Sequence, residues 1–538
     1  MDVVRIGTPS KETHPDELIG AKAANLERIA ALGLPVPPAF VLPIELCAAA
    51  VRGDSGIAEK LVAGLKDGIA FLESATGRRF GDRRRPLLVS VRSGAARSMP
   101  GMLDTVLDVG CTADAVRGLV RMFGDPRFAA DCRRRFLESY GEVVLGIERA
   151  AFAGRLHDMV ATQGVGSVQA LDSEALERLG GANEEVIDSD SHGVAHEPMD
   201  QLKSATEAVY RSWTSERAVV YRRLQHLDDL VGTAVTVQAM VYGNCGSASG
   251  SGVAFSRDPS TGATAPVIDF LFASQGEDVV SGSHTPDTEA AIARSLPAVA
   301  SQLRDALRRL EDEFADVQDV EFTIENGKLW LLQTRVAKRT PQAAVRLAID
   351  FVKEGRITPA QALQRLDGID LTALVTKRLD GAGTPAARGI GASAGIVVGR
   401  AAFDPDEAVR LAAGGDPIIL LRQDTTTADI AGFAVAAGIV TSVGGRTAHA
   451  ALVARQMGRP CVVGCAALMV EPARHRASLN GAAVNEGDWL SIDGEAGTVH
   501  LGRCTVTSER PDAQLAEIER WRAAVLPVTS PRITVRTK

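Results

Sequence analysis

The segment from Gly438 to Gly464, GIVTSVGGRTAHAALVARQMGRPCVVG, leaves the chain few choices. An apolar run ends at a glycine pair, Gly444 and Gly445, that permits tight backbone. Thr447 is placed to cap a helix over Ala448 to Met457, and Gly458 with Pro460 ends it before a second apolar run. Strand, turn, helix and strand therefore follow one another with no room for a long loop. The same alternation extends from about Gly389 through IILLRQ to GDWLSIDG and GTVHLG, which predicts an α/β domain. His449 falls in the first turn of that helix. Backbone N–H groups and the positive end of the helix dipole favour a phosphate there and disfavour an imidazolium, so the ring is kept neutral and nucleophilic.

At 538 residues the chain is long enough for roughly three to four domains of about 150 residues. Lys and Arg total 59 against 67 Asp and Glu, a net charge of -8, which excludes the broad basic surface of a general nucleic-acid binder. Seven cysteines, at 47, 111, 132, 245, 461, 465 and 504, lack close paired spacings and read as reduced thiols, with Cys461 and Cys465 as small core residues. The N-terminus carries no secretory pattern, and the longest uncharged stretch, Leu230 to Ser256, is interrupted by Gln238, Asn244 and several glycines and serines. These features predict a cytoplasmic protein with neither nucleic acid nor membrane as partner.

The expected organisation is a nucleotide domain with subdomains over 1–339, a helical linker over 340–388, the α/β domain over 389–504, and a helix followed by one strand over 505–538. Within the first domain, GAKAANLERIAALG reads as a helix and PLLVSVR as a strand ending in Arg92. Residues 181–200 read as a loop and Leu202 to Asp229 as one long helix. TAVTVQAMVY and VAFSRD read as a hairpin around the mobile glycine-serine tip GNCGSASGSG. A second hairpin, VQDVEFTIENGKLWLLQTR, turns at Asn326-Gly327.

Scattered over that domain are the residue types that a nucleotide phosphoryl donor requires. Lys22, Arg92 and Arg335 are cations to offset phosphate charge, the loop 243–252 offers bare backbone amides, and Asp319, Glu321 and Gln333 offer the oxygens that Mg²⁺ takes. Asp319 and Glu321 share one face of their strand, as do Gln333 and Arg335 of the next. A strict two-residue turn pairs Glu321 with Leu332 and separates the two polar sets, so a shared metal site predicts a bulged or three-residue turn that pairs Glu321 with Gln333.

The GGRTAHAA run resembles the phosphohistidine motif of the pyruvate phosphate dikinase and phosphoenolpyruvate synthase families. SVRSGAARSMPGMLDTVLDVG, TAVTVQAMVYGNCGSASGSGVAFSRDPSTG, SQGEDVVSG and DVEFTIENGKLWLLQTR look like the ATP-grasp nucleotide domain of the dikinase. The resemblance implies a multidomain α/β and α+β fold in which an ATP-grasp domain is followed by a swivelling α/β phosphohistidine domain. It implies that His449 accepts the phosphoryl group, that Lys22, Arg92 and Arg335 contact ATP phosphates, and that Gly101, Gly243, Gly246 and Gly250 lie at the nucleotide. Asp319, Glu321 and Gln333 serve metal and nucleotide, with Glu321 and Gln333 as the Mg²⁺ residues. Thr447 occupies a position that is phosphorylated to switch off some plant dikinases; here capping is the preferred role. The chain differs from the dikinase pattern at Ala21 and Ala23, where glycines are common, and at Asp269, where glutamate is usual. Arg446 and Pro460 are closer to the synthase version of the histidine motif.

In the dikinase family a C-terminal barrel binds pyruvate or phosphoenolpyruvate, and PRITVRTK looks like its first strand, so this chain is expected to carry only the ATP and phosphate half-reactions, through a phosphohistidine swinging on 340–388 and 505–530. Pyruvate and phosphoenolpyruvate would then be partners through a separate domain, and the resemblance suggests a homodimer. Two competing expectations are a synthase-like or antibiotic-type dikinase module with another acceptor, and a non-catalytic nucleotide-binding partner.

Overall fold

A computed structural model of the chain describes residues 3–7, 13–97, 99, 102–190, 193–280, 285–381, 383–425, 429–446 and 448–525. It is a mixed α/β protein that divides into two compact units, Met1–Gly250 with Phe322–Arg335, and Ser251–Glu321 with Val336–Lys538. The expected final strand, PRITVRTK, lies outside the described residues.

The first unit is built on an antiparallel five-stranded sheet in the order Val4–Ile6, Ala39–Leu42, Ala234–Ala239, Val89–Gly94, Thr105–Val109. Phe40, Val91, Val106, Val235 and Val237 are fully buried in one core with Phe128, Phe136 and Tyr140 of the helix Pro126–Val143. That helix also buries charge. Asp131 accepts from Arg134 at 2.7 Å and from Arg135 at 3.0 Å, and from the Asn244 amide at 2.8 Å.

Three local expectations give way here. The stretch 181–200 is not a loop throughout, because the helix Ser173–Asp190 runs on past Gly180 and Gly181. Leu176, Leu179, Asn183 and Ile187 continue one buried face across the glycines, so packing outweighs their weak propensity. The expected helix from Leu202 to Asp229 is instead two, Pro198–Arg211 and Glu216–Leu224. Between them Trp213 is buried and Ser215 caps the second by accepting from the Ala218 amide. Thirdly, Ala234–Ala239 and Gly250–Phe255 are not a hairpin, since they belong to different sheets.

In the second unit, Asp287–Thr288, Val267–Phe272, Gly250–Phe255 and Gln318–Glu325 lie in that order in one sheet. The hairpin closed by Lys328–Val336 is shared, its turn half Phe322–Arg335 falling in the first unit. The turn consists of Asn326 and Gly327 alone, both at positive φ, 48° and 76°. That is the two-residue form, so the longer or bulged turn expected from sequence is not present at the hairpin end.

An eight-stranded sheet follows. Its centre, Ile396–Ala402, Ile418–Arg422, Gly438–Thr441 and Cys461–Val463, is parallel, and antiparallel strands flank it. Helix His449–Met457 is the crossover between the last two parallel strands. Strand Thr376–Asp380 pairs antiparallel with Thr505–Glu509, so the chain's two passages to and from this sheet run side by side. Helix Asp512–Val525 then places Leu515, Ile518 and Trp521 in a core with Val345, Leu347 and Ile349 of helix Pro341–Lys353.

Candidate functional site

In the first unit Gly20 stands at the start of the helix Ala21–Ala31 with φ 79° and ψ 148°. A Cβ there would lie 2.0 Å from the Gly94 carbonyl oxygen. Glycine is therefore what lets this helix start press onto the end of strand Val89–Gly94, where Ala21 N–H donates to Ala95 O at 3.0 Å. Lys22 follows in the first helical turn. Asn25 donates to the Thr334 carbonyl at 3.0 Å and Leu331 N–H to Pro35 O at 2.8 Å, which fastens strand Lys328–Val336 alongside.

These contacts frame a small cavity open to solvent. Its charged lining consists of Lys22, Arg97 and Arg335, with Gln333, Asn25 and Thr334 as polar neighbours and Met99 and Leu103 as an apolar wall. No carboxylate is among the described lining residues. A helix start, cations and an amide around one cavity are groups that can hold an anion, beside an apolar wall. Arg97 also faces Asp229 at 3.6 Å across exposed surface.

The sequence-derived candidates divide. Lys22, Gln333 and Arg335 meet at this cavity. Arg92 is not in the lining; its Nη1 donates to Gln238 Oε1 at 3.3 Å. Gly101 lies outside the described residues. The loop bearing Gly243, Gly246 and Gly250 meets the hairpin turn, since Gly327 N–H donates to Ala248 O at 2.9 Å and Asn326 N–H to Ser249 Oγ at 2.8 Å. About 20 Å of extended strand separates that turn from Gln333. With Asn244 bound to Asp131 as well, this loop is tied at several points, where sequence suggested a mobile tip. Asp319 and Glu321 lie on Gln318–Glu325 in the second unit, Asp319 buried and Glu321 half-buried. Arg97, Asn25 and Thr334 were not singled out from sequence, although Arg97 lies in the same SGAARSMPGMLDT stretch.

In the second unit His449 is the first residue of its helix, after the cap residue Ala448. Thr447, expected to cap, lies outside the described residues. The ring is half-buried and packs edge-on to Phe433, 5.9 Å between centroids. Its Nε2 is enclosed and has no hydrogen-bond partner among the described residues. Burial lowers the imidazole's pKa from the usual value, and the Asp429 carboxylate opposes that shift. The site thus presents a neutral ring nitrogen at a helix start, on the carboxyl edge of parallel strands where α/β sheets bind ligands.

Six of the seven cysteines are buried. All seven cysteines are free, and burial pushes the Cys461 thiol up to about 12. Among the described residues one group has metal-ligand spacing, Asp404, Glu407 and His475. Asp404 caps helix Pro405–Ala412 through the Glu407 N–H at 2.9 Å, and Glu407 accepts from Phe403 N–H at 2.8 Å and pairs with His475, so these groups serve the helix start.

Comparison with known proteins matches two family models to the chain. Residues 57–303 and 296–356 match the family model "Pyruvate phosphate dikinase, AMP/ATP-binding domain", and 414–497 match "PEP-utilising enzyme, mobile domain". The chain is 40% identical over 510 residues to a pyruvate, phosphate dikinase of Clostridium symbiosum, covering 94% of this chain and 58% of the relative. It is 40% identical over 543 residues to that of Rhizobium meliloti, covering 96% and 59%. The chloroplastic pyruvate, phosphate dikinase 1 of Zea mays is 38% identical over 510 residues, 94% and 54%. The chain spans between a half and three fifths of the length of these relatives.

Proposed function

Because the chain belongs to the pyruvate, phosphate dikinase family, we propose that it is an ATP-dependent phosphotransferase carrying the ATP and phosphate half-reactions through His449. The observation that carries this reading is the enclosed Nε2, without a hydrogen-bond partner among the described residues, at the start of helix His449–Met457. ATP binds in an ATP-grasp domain, with its phosphates toward Lys22 and Arg335 and its apolar base toward Met99 and Leu103. Nε2 forms a bond to the β-phosphorus as the bond from that phosphorus to the AMP oxygen breaks, leaving a pyrophosphorylated histidine. Inorganic phosphate attacks the terminal phosphorus, diphosphate leaves, and phospho-His449 remains. Two transfers through one carrier replace a single transfer that would need all substrates in one pocket.

Glu321 and Gln333 each carry the hard oxygen donors that magnesium takes, but the hairpin turns on Asn326 and Gly327 alone rather than on the longer or bulged turn that a shared site requires, so no magnesium site common to the two is proposed. Mg²⁺ bound with the triphosphate would neutralise charge on the phosphate oxygens. The protein's own cations hold and orient the triphosphate, and the half-buried site of His449 limits water at the nitrogen. The paired strands Thr376–Asp380 and Thr505–Glu509 support a carrier domain that swings as one body on both of its connections. Transfer from phospho-His449 to pyruvate, giving phosphoenolpyruvate, would take place on a separate domain that supplies the pyruvate site. Arg446, the residue closest to the synthase version of the motif, donates Nε to Gly391 O at 3.1 Å and so holds the loop.

Incubation with β-labelled ATP should give acid-labile, base-stable label that disappears in His449→Ala, and label in that variant would overturn the assignment. With γ-labelled ATP, label should leave as diphosphate only when phosphate is supplied. Release as free phosphate regardless would point to the synthase-type reaction.

A further inference from the structure

We propose that Arg455 is the residue that positions the His449 loop for phosphoryl uptake, an inference that rests on the phosphohistidine reading above. Arg455 lies on the same helix as His449 and is 1% exposed. Its Nη2 donates to the Arg446 carbonyl at 2.7 Å, within the loop that delivers His449. Its Nη1 donates to the Ala392 carbonyl at 2.8 Å, on strand Ile390–Ser393, and Ser260 Oγ reaches the same oxygen at 2.9 Å. Arg446 in turn donates to Gly391. One planar fork thus bridges the catalytic loop and the neighbouring strand, a geometry that a lysine cannot copy at both oxygens.

The loop has little room to move away from this fork. A Cβ on Gly445 would lie 2.3 Å from Pro286 Cγ and 2.7 Å from Asp269 Oδ2, and one on Gly464 would lie 2.8 Å from Gly444 O and 3.0 Å from Thr285. The segment 444–446 is therefore held between Arg455 and a wall formed by 269 and 285–286. Burying a guanidinium is costly, and packing alone would be served better by leucine or methionine. Both of its hydrogen bonds go to carbonyls, and among the described residues no carboxylate lies within ion-pair distance. Burial lowers its pKa, while the more distant Asp319 and Asp269 carboxylates favour its charge. The charge is kept for the shape it imposes.

The test is single-turnover labelling of the full chain with β-labelled ATP in wild type, Arg455→Met and Arg455→Lys, reading plateau, rate constant and half-saturating ATP separately. Misplacing the nitrogen by about 1 Å predicts a rate constant about 100-fold lower in Arg455→Met, about 10-fold lower in Arg455→Lys, and an unchanged half-saturation. A purely structural role would lower the plateau and leave the rate constant alone, which overturns the proposal. So does a lysine variant no faster than methionine, and, should methionine not fold, a lysine variant with the wild-type rate constant. Absence of His449 labelling in wild type would instead defeat the phosphohistidine reading itself.

Discussion

Replacing Gly20 by alanine tests whether the anion cavity depends on one close backbone approach. The new Cβ would sit 2.0 Å from Gly94 O, where real Cβ contacts essentially never fall below 3.0 Å, so helix and strand must part by about 1 Å. The backbone at φ 79°, ψ 148° is nearly glycine-only, a strain of about 1–3 kcal/mol. Together with about 1–3 kcal/mol for forced repacking, a loss of roughly 2–6 kcal/mol follows. Lys22 is displaced without losing its charge, so ATP affinity should fall by about 10-fold, or 1.4 kcal/mol. Gly33→Ala is the control. It also has positive φ, 69°, but nothing within 4 Å of its Cβ, so it should lose about 1 kcal/mol and leave ATP binding unchanged. Urea unfolding and calorimetric ATP titration measure both quantities. A Gly20→Ala protein no less stable than Gly33→Ala, with wild-type affinity, would refute the reasoning.

Lys22→Ala and Arg335→Ala should each weaken ATP binding by about 1.5–3 kcal/mol with little change in melting temperature, because charge-assisted contacts to phosphate are lost at a solvent-open cavity. His449 labelling should stay constant as pH falls through 6.5 and decline only below it, since burial holds the folded imidazole's pKa under that value; a midpoint at or above 6.5 in the pH–rate profile contradicts this. Asp131→Asn should cost about 3–5 kcal/mol at neutral pH by leaving Arg134 and Arg135 buried without their carboxylate. Burial raises the Asp131 pKa, but the two guanidiniums outweigh it and hold it below the usual range, so its contribution is present above the unfolded value of about 3.9 and lost as pH falls below that. The gap between wild type and variant in urea midpoint should therefore close in acid.

Much of the site was legible because its signals are local. Gly444, Gly445, Gly458 and Pro460 bracket one helix whatever surrounds them, whereas the two-residue signal of Asn326-Gly327 was set aside in favour of the longer turn that a shared metal site would need. What sequence missed depended on distant partners. Whether Ala234–Ala239 and Gly250–Phe255 pair is decided by the strands already flanking the first, Ala39–Leu42 and Val89–Gly94. The helix through Gly180-Gly181 survives because Leu179 and Ile187 are buried on either side. At the cavity, Lys22 and Arg335 were readable as cations, yet the Asn25 to Thr334 bond that brings their elements together joins residues 309 apart. Arg455 resembled any arginine on an exposed helical face until its two carbonyls were located.

The hairpin that belongs to both units also limits how this protein can be taken apart. A fragment stopping at Gly250 would contain the whole five-stranded sheet but not Gln333 or Arg335, nor the backbone that clasps Pro35 and Asn25. The shortest uninterrupted piece owning every described wall of the anion pocket must run to Arg335, and it carries Ser251–Glu321 along as a passenger. One clean cut between the two units therefore cannot keep that pocket whole.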